Sequence, residues 1–161
     1  MPGATAIDPD HFLDLARSEP FTREEGLAAW EQAYAKLEHR LSSLGARAEL
    51  FVVFGLQAGG KSTWVEHTAA FANDRSVFFS GPLPSRKHRQ RALALAKRFG
   101  CRVVAVWVRV SLEVALQRNA KRMGLARVPE SVIHHVHESL EPPDLEEGFH
   151  EVIVVSPEVD A

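Results

Sequence analysis

The sequence predicts an α/β fold, a parallel sheet sandwiched by helices, with a helical extension at its N-terminus. Three observations lead there. Strand-like apolar runs alternate with helix-like stretches, a pattern that covers a parallel sheet on both faces and links its strands by right-handed crossovers. A glycine-rich loop ending in lysine joins one such strand to one such helix, in "LFVVFGLQAGGKSTW", residues 50–64. The chain is 161 residues long, 45% hydrophobic and 25% charged, which fits globular folding rather than a disordered or fibrous chain.

Residues 8–19 form a short helix candidate. A second begins after Thr22, with Glu25 three positions on closing a capping box. Leu27, Trp30, Tyr34, Leu37, Leu41 and Leu44 then recur at alternating spacings of 3 and 4 and stop before Gly45. This stripe either packs on the domain's own core or, over 22–44, forms the seam of a homodimer. Residues 1–48 are thus an N-terminal helical extension, and 49–161 the main domain.

Within that domain the strand at 50–54 leads to a helix at 61–72, a strand at 76–80 and a helix at 85–99 that Gly100 ends. A Val-rich strand covers 102–110. Ser111 caps a helix whose last turn holds Arg118, Lys121 and Arg122 before Gly124. Pro129 starts one more helix, Pro142 and Pro143 stop it, and 152–155 is the last strand. No internal repeat interrupts this order.

The single cysteine, Cys101, excludes an internal disulfide framework. Residues 1–7 lack the basic and apolar regions of a secretory leader, and no run of about 18 apolar residues is present, so the expected compartment is the cytoplasm, without membrane contact. A net charge of −2 conceals a strong asymmetry, because residues 85–127 carry 12 Lys/Arg against 1 Asp/Glu between acidic flanks. Such a block either focuses an anionic acceptor or folds back on its acidic neighbours.

Gly55, Gly60, Lys61 and Ser62 satisfy G-x-x-x-x-G-K-[ST], the pattern of a loop that wraps a nucleoside triphosphate. Backbone N–H groups must turn inward to do so, which side chains at Gly55, Gly59 and Gly60 would obstruct. The helix that follows adds its N-terminal N–H groups and partial positive charge. Lys61 reaches the β- and γ-phosphates, Ser62 places its hydroxyl on Mg²⁺, and Thr63 lies near the phosphates. The implied ligands are ATP or GTP with Mg²⁺.

"LQRNAKRMGLARVPESVI", residues 116–133, is the second informative stretch. Arg118 and Arg122 lie four apart on one helix face and Arg127 follows in a loop, so 118–130 reads as a lid whose arginines neutralise charge on a transferring phosphoryl group. In the basic block, Arg86, His88 and Arg89 are candidate clamps for an acceptor. His134 and Glu138 have ligand spacing, but a surface helix explains them better than a metal site. Trp64 and Trp107 read as core residues.

The motif "GLQAGGKSTW", the run Arg118-Asn119-Ala120-Lys121-Arg122, the step Val128-Pro129-x-x-Val132 and the segment "EPPDLEEGFHEVIVV" together resemble the phage-type polynucleotide 5′-kinase family, with zeta-toxin-like kinases more distant. The resemblance spans about residues 50–155. It implies that Lys61 and Ser62 bind phosphate and Mg²⁺ and that Arg118 and Arg122 are lid arginines. It also implies an Asp at the end of the strand after the loop helix, taking the acceptor's proton, yet this chain has Ser80 and Gly81 there. Glu24, Glu25 or Glu31 of the extension are the substitutes expected to supply a carboxylate.

Three functions satisfy these residues. One is an ATP·Mg²⁺-dependent kinase for a hydroxyl, including a nucleic-acid 5′-OH. The second is a small-metabolite kinase. The third is a degenerate module that binds nucleotide and signals or assembles without turnover.

Overall fold

The computed structural model describes residues 3–157, so Met1 and Pro2 of the leader reading lie outside the described residues. Five strands, all parallel, form one sheet in the order β1-β3-β2-β4-β5. They are β1 (Thr5–Ile7), β2 (Glu49–Phe54), β3 (Ser76–Gly81), β4 (Arg102–Val108) and β5 (Glu151–Val155). The helices are α1 (Arg23–Leu44), α2 (Lys61–Ala69), α3 (Arg86–Phe99), α4 (Leu112–Ala120) and α5 (Glu130–Ser139). The α/β sandwich expected from the sequence is the fold observed.

Period-2 alternation sends β2 to both faces of the sheet. Leu50, Val52 and Phe54 join Phe79, Val103 and Ala105 in a core cluster with Leu37 and Leu41 of α1 and Ala92 and Ala96 of α3. On the opposite face Val53, Phe78, Val104 and Val106 pack with Val65 of α2. A third cluster joins α4 and α5 through Ala115, Ile133 and Val136, and includes Leu56 of the loop after β2. Packing therefore ties α4 to that loop.

The N-terminal extension differs from its expected form. Its helix α1 has the predicted capping box, Thr22 accepting from the Glu25 N–H and Glu25 from the Thr22 N–H. Residues 8–19, however, are not a helix. Thr5, Ala6 and Ile7 pair with Val77, Phe78 and Phe79 as a parallel strand, and a short 3-10 turn, Pro9–Phe12, follows. Asp8 caps that turn by accepting from the Asp10 N–H, and the sheet edge of β3 gives the segment a ladder that a helix would forfeit.

The stripe on α1 is used within the chain. Tyr34, Leu37, Leu41 and Leu44 are buried, Trp30 is half-buried against Tyr34 and Phe79, and Leu27 remains exposed, so most of the stripe packs on the domain's own core. The helix bearing the arginine pair also ends early, at Ala120. Asn119, fully buried, donates to the Val128 carbonyl and accepts from the Val128 N–H, tying residues 121–128 back across the helix end. Arg122 therefore lies in this connection and not on a helix face shared with Arg118. No helix among the described residues is long and apolar enough to cross a membrane.

Candidate phosphoryl-transfer site

β2 is flanked by β3 on one side and β4 on the other, which places the loop after β2 at the point where the chain's winding direction reverses. Ligands of open α/β sheets occupy such crevices outside the C-terminal strand ends. Here a cleft of about 220 Å³ opens at that point. It is lined by the loop 57–63, by Arg122, and by Asp8, Pro9, Asp10, Trp30, Gly81 and Pro82.

The glycines serve different needs. A Cβ on Gly55, at φ +146°, would lie 2.4 Å from the Val108 carbonyl oxygen, so glycine lets the loop leave β2 hard against β4. This is a packing reason, where the sequence suggested room for phosphate. A Cβ on Gly81 would come within 2.5 Å of the Trp30 indole, so glycine there lets Trp30 seat as the wall of the cleft.

Lys61 begins α2 and its Nζ donates to the carbonyls of Gly55 and Leu56, each at 2.8 Å. Desolvation depresses its ammonium to a pKa of about 8, opposed by Asp8 and Asp10 and reinforced by Arg122. A triphosphate entering the loop supplies the missing negative charge. Ser62 and Thr63 expose their side chains in the same cleft. Mg²⁺ prefers oxygen donors and is commonly held with nucleotide by few protein ligands, and the exposed Ser62 hydroxyl in this cleft is an oxygen donor that fits it. Among the described residues no cluster of three or more His, Cys, Asp or Glu is placed to hold a metal, so His134 and Glu138 remain a surface pair.

Gly59, Gly60, Lys61, Ser62, Thr63 and Arg122 are brought together, and Gly55 supports the loop from behind. Arg118 reaches the Gly59 carbonyl at 3.3 Å from an adjoining hollow that Trp64, His67 and Pro157 also line. Trp64 meets Phe78 edge-on as well, so its expected core role is combined with a place beside the loop.

The acceptor clamps do not join this group. Arg89 is fully buried, pairs with Glu147 at 2.9 Å, donates to the carbonyls of Leu83, Pro84 and Glu141, and lies over the Phe54 ring. It fastens α3 to the segment before β5. Arg86 pairs with Asp144, and His88 shares a hydrogen bond with Ser85. None of the three lines the cleft.

The expected carboxylates are elsewhere too. Glu25 is held by Arg17, which with the Thr22 backbone N–H lowers it to about 2, and Glu31 is held by Arg91. The acids that do face Lys61 are Asp8 and Asp10, which the sequence reading placed in a helix. The signal was "ATAIDPD", residues 4–10, a short apolar run ending directly in an acid, too brief for periodicity to reveal.

Parallel sheet, loop and cleft define a P-loop nucleotide-binding fold of kinase-like type. The family described as an AAA domain matches residues 67–143, from the later part of α2 to just beyond α5, and supports that class. The matched stretch contains the arginine connection and excludes both the lysine loop and β1. Comparison with curated proteins returns no match.

Proposed function

We propose that the protein is a phosphotransferase that binds ATP or GTP with Mg²⁺ and moves the γ-phosphoryl group to a hydroxyl of a small acceptor in this cleft. The observation that carries the reading is that Lys61, Ser62, Thr63 and Arg122 line one cavity together with Trp30, Gly81 and Pro82. Phosphoryl transfer needs chiefly positioning and electrostatic stabilisation. In this reading the loop's N–H groups and Lys61 hold the β- and γ-phosphates, and Arg122 neutralises charge spreading over the equatorial oxygens. Arg118 orders the loop through the Gly59 carbonyl. The Ser62 hydroxyl would hold Mg²⁺ bound with the nucleotide, which would supply positive charge to the phosphates.

A small acceptor is favoured over a nucleic-acid end by the pairing of the basic block. Arg86, Arg89, Arg91, Arg98 and Arg102 all form ion pairs with acids of the flanks, which leaves α3 poorly suited to track a phosphate backbone. The test is incubation with γ-labelled ATP and Mg²⁺ against neutral polyols and a 5′-hydroxyl oligonucleotide, beside Lys61→Ala. Transfer to a polyol that disappears in Lys61→Ala supports the proposal. Transfer to the oligonucleotide that weakens steeply with salt replaces it with the polynucleotide reading, and nucleotide binding without any turnover replaces it with the non-catalytic module.

A further inference from the structure

β1 adds to the sheet beside β3, and the first residue after it is Asp8. The Ser80 hydroxyl, at the end of β3, donates to Asp8 Oδ2 at 2.8 Å, while Asp8 Oδ1 accepts from the Asp10 N–H at 2.9 Å. Both oxygens of Asp8 are thereby engaged in fixing the turn. The Asp10 carboxylate has no hydrogen bond or ion pair of its own among the described residues, and it lines the cleft with Lys61 and Arg122. Gln57, which lines the same cleft, has its side-chain oxygen buried without a hydrogen-bond partner, a group that a donor on a bound ligand would satisfy.

We infer that Asp10, carried to the cleft by the first strand and fixed there by the Asp8–Ser80 pair, is the carboxylate that receives the acceptor's proton. The inference rests on the phosphotransferase reading. In the step, the acceptor oxygen forms a bond to the γ-phosphorus, and the bond from that phosphorus to the β–γ bridging oxygen breaks. Its electron pair leaves on the nucleoside diphosphate, and the hydroxyl proton passes to Asp10. Asp8 is a positioning residue, since it acts through Asp10. The strand that brings both acids lies outside the stretch matched by the family model, as does the lysine loop.

The charged groups around Asp10 agree with the role. Desolvation first, then the Asp8 carboxylate, raise the pKa of Asp10, while Lys61, Arg122 and His11 oppose them. A carboxylate so raised is a stronger proton acceptor once ionised.

The test measures fluorescent-nucleotide binding and ADP release with water or a polyol as acceptor, for the full chain and for Asp10→Asn, Asp10→Glu and Ser80→Ala. Expected for Asp10→Asn is a loss of about 10²- to 10⁴-fold in turnover with nucleotide affinity retained. The acid limb of the wild-type pH profile should vanish with it. Asp10→Glu should keep that limb and part of the rate, and Ser80→Ala should shift the limb, an effect that loss of packing alone would not produce. Wild-type turnover and pH dependence in Asp10→Asn overturn the inference and leave the phosphotransferase reading standing. Loss of Mg-nucleotide binding with Mg-free binding intact overturns it by assigning Asp10 to the metal. Absence of turnover in the wild type overturns both.

Discussion

Helix α3 and the connection from α4 to α5 are both rich in arginine, and they differ in what the arginines meet. On α3, Arg91 and Arg98 reach across to Glu31 and Glu38 of α1, and Arg86 and Arg89 to Asp144 and Glu147 before β5. Between α4 and α5, Lys121, Arg122 and Arg127 form no ion pair among the described residues, and Arg122 faces the cleft. The same density of positive charge is structural cement in one place and available to a ligand in the other. What separates them is the position of acids far off in sequence, so a local charge count overstated the field of 85–127.

The comparison breaks most sharply at Arg122. Arg122→Ala should lower phosphoryl transfer by about 10³- to 10⁵-fold, as for arginines that meet transition-state charge, with little change in thermal stability. Single-turnover rates and a melting curve on the same sample check both halves. If the rate is unchanged, Arg122 is as structural as Arg89.

Arg89→Ala should do the reverse. It leaves Glu147 buried without its partner and should cost about 3–5 kcal/mol. At this chain length that is a fall in Tm of roughly 10 °C, while the folded fraction keeps its turnover. Arg98→Ala, by contrast, breaks a solvent-exposed pair and should cost under about 1 kcal/mol, read from urea unfolding.

The smallest expected effect sharpens the electrostatics of the cleft. The depressed Lys61 means that the nucleotide-free fold binds a proton less readily than the unfolded chain between about pH 8 and 10.5, so its stability should rise with pH across that window. A triphosphate favours the charged lysine, so nucleotide binding near pH 8–9 should take up protons. Calorimetry in buffers of different ionisation enthalpy measures the uptake, and Lys61→Ala should abolish it.

The parallel α/β class and the loop were legible because their signals are local. Alternation in β2, the caps at Thr22 and Ser111, and the spacing of Gly55, Gly60, Lys61 and Ser62 all lie within a few residues. The acceptor side was not, because it is made by pairs distant in sequence. Ser80 meets Asp8 across 72 positions, and β1 has only 3 residues, below the length at which periodicity separates strand from helix. The early end of α4 was hidden for the same reason, since the Asn119 amide acts through Val128 and not through helix propensity.

The most direct measurement is γ-phosphoryl release from labelled ATP with Mg²⁺, in parallel for the wild type, Arg122→Ala and Arg98→Ala. Turnover in the wild type and in Arg98→Ala, with loss in Arg122→Ala at unchanged nucleotide affinity, is the predicted result. Equal turnover in all three, or none in the wild type, would contradict a phosphoryl-transfer centre between the lysine loop and Arg122.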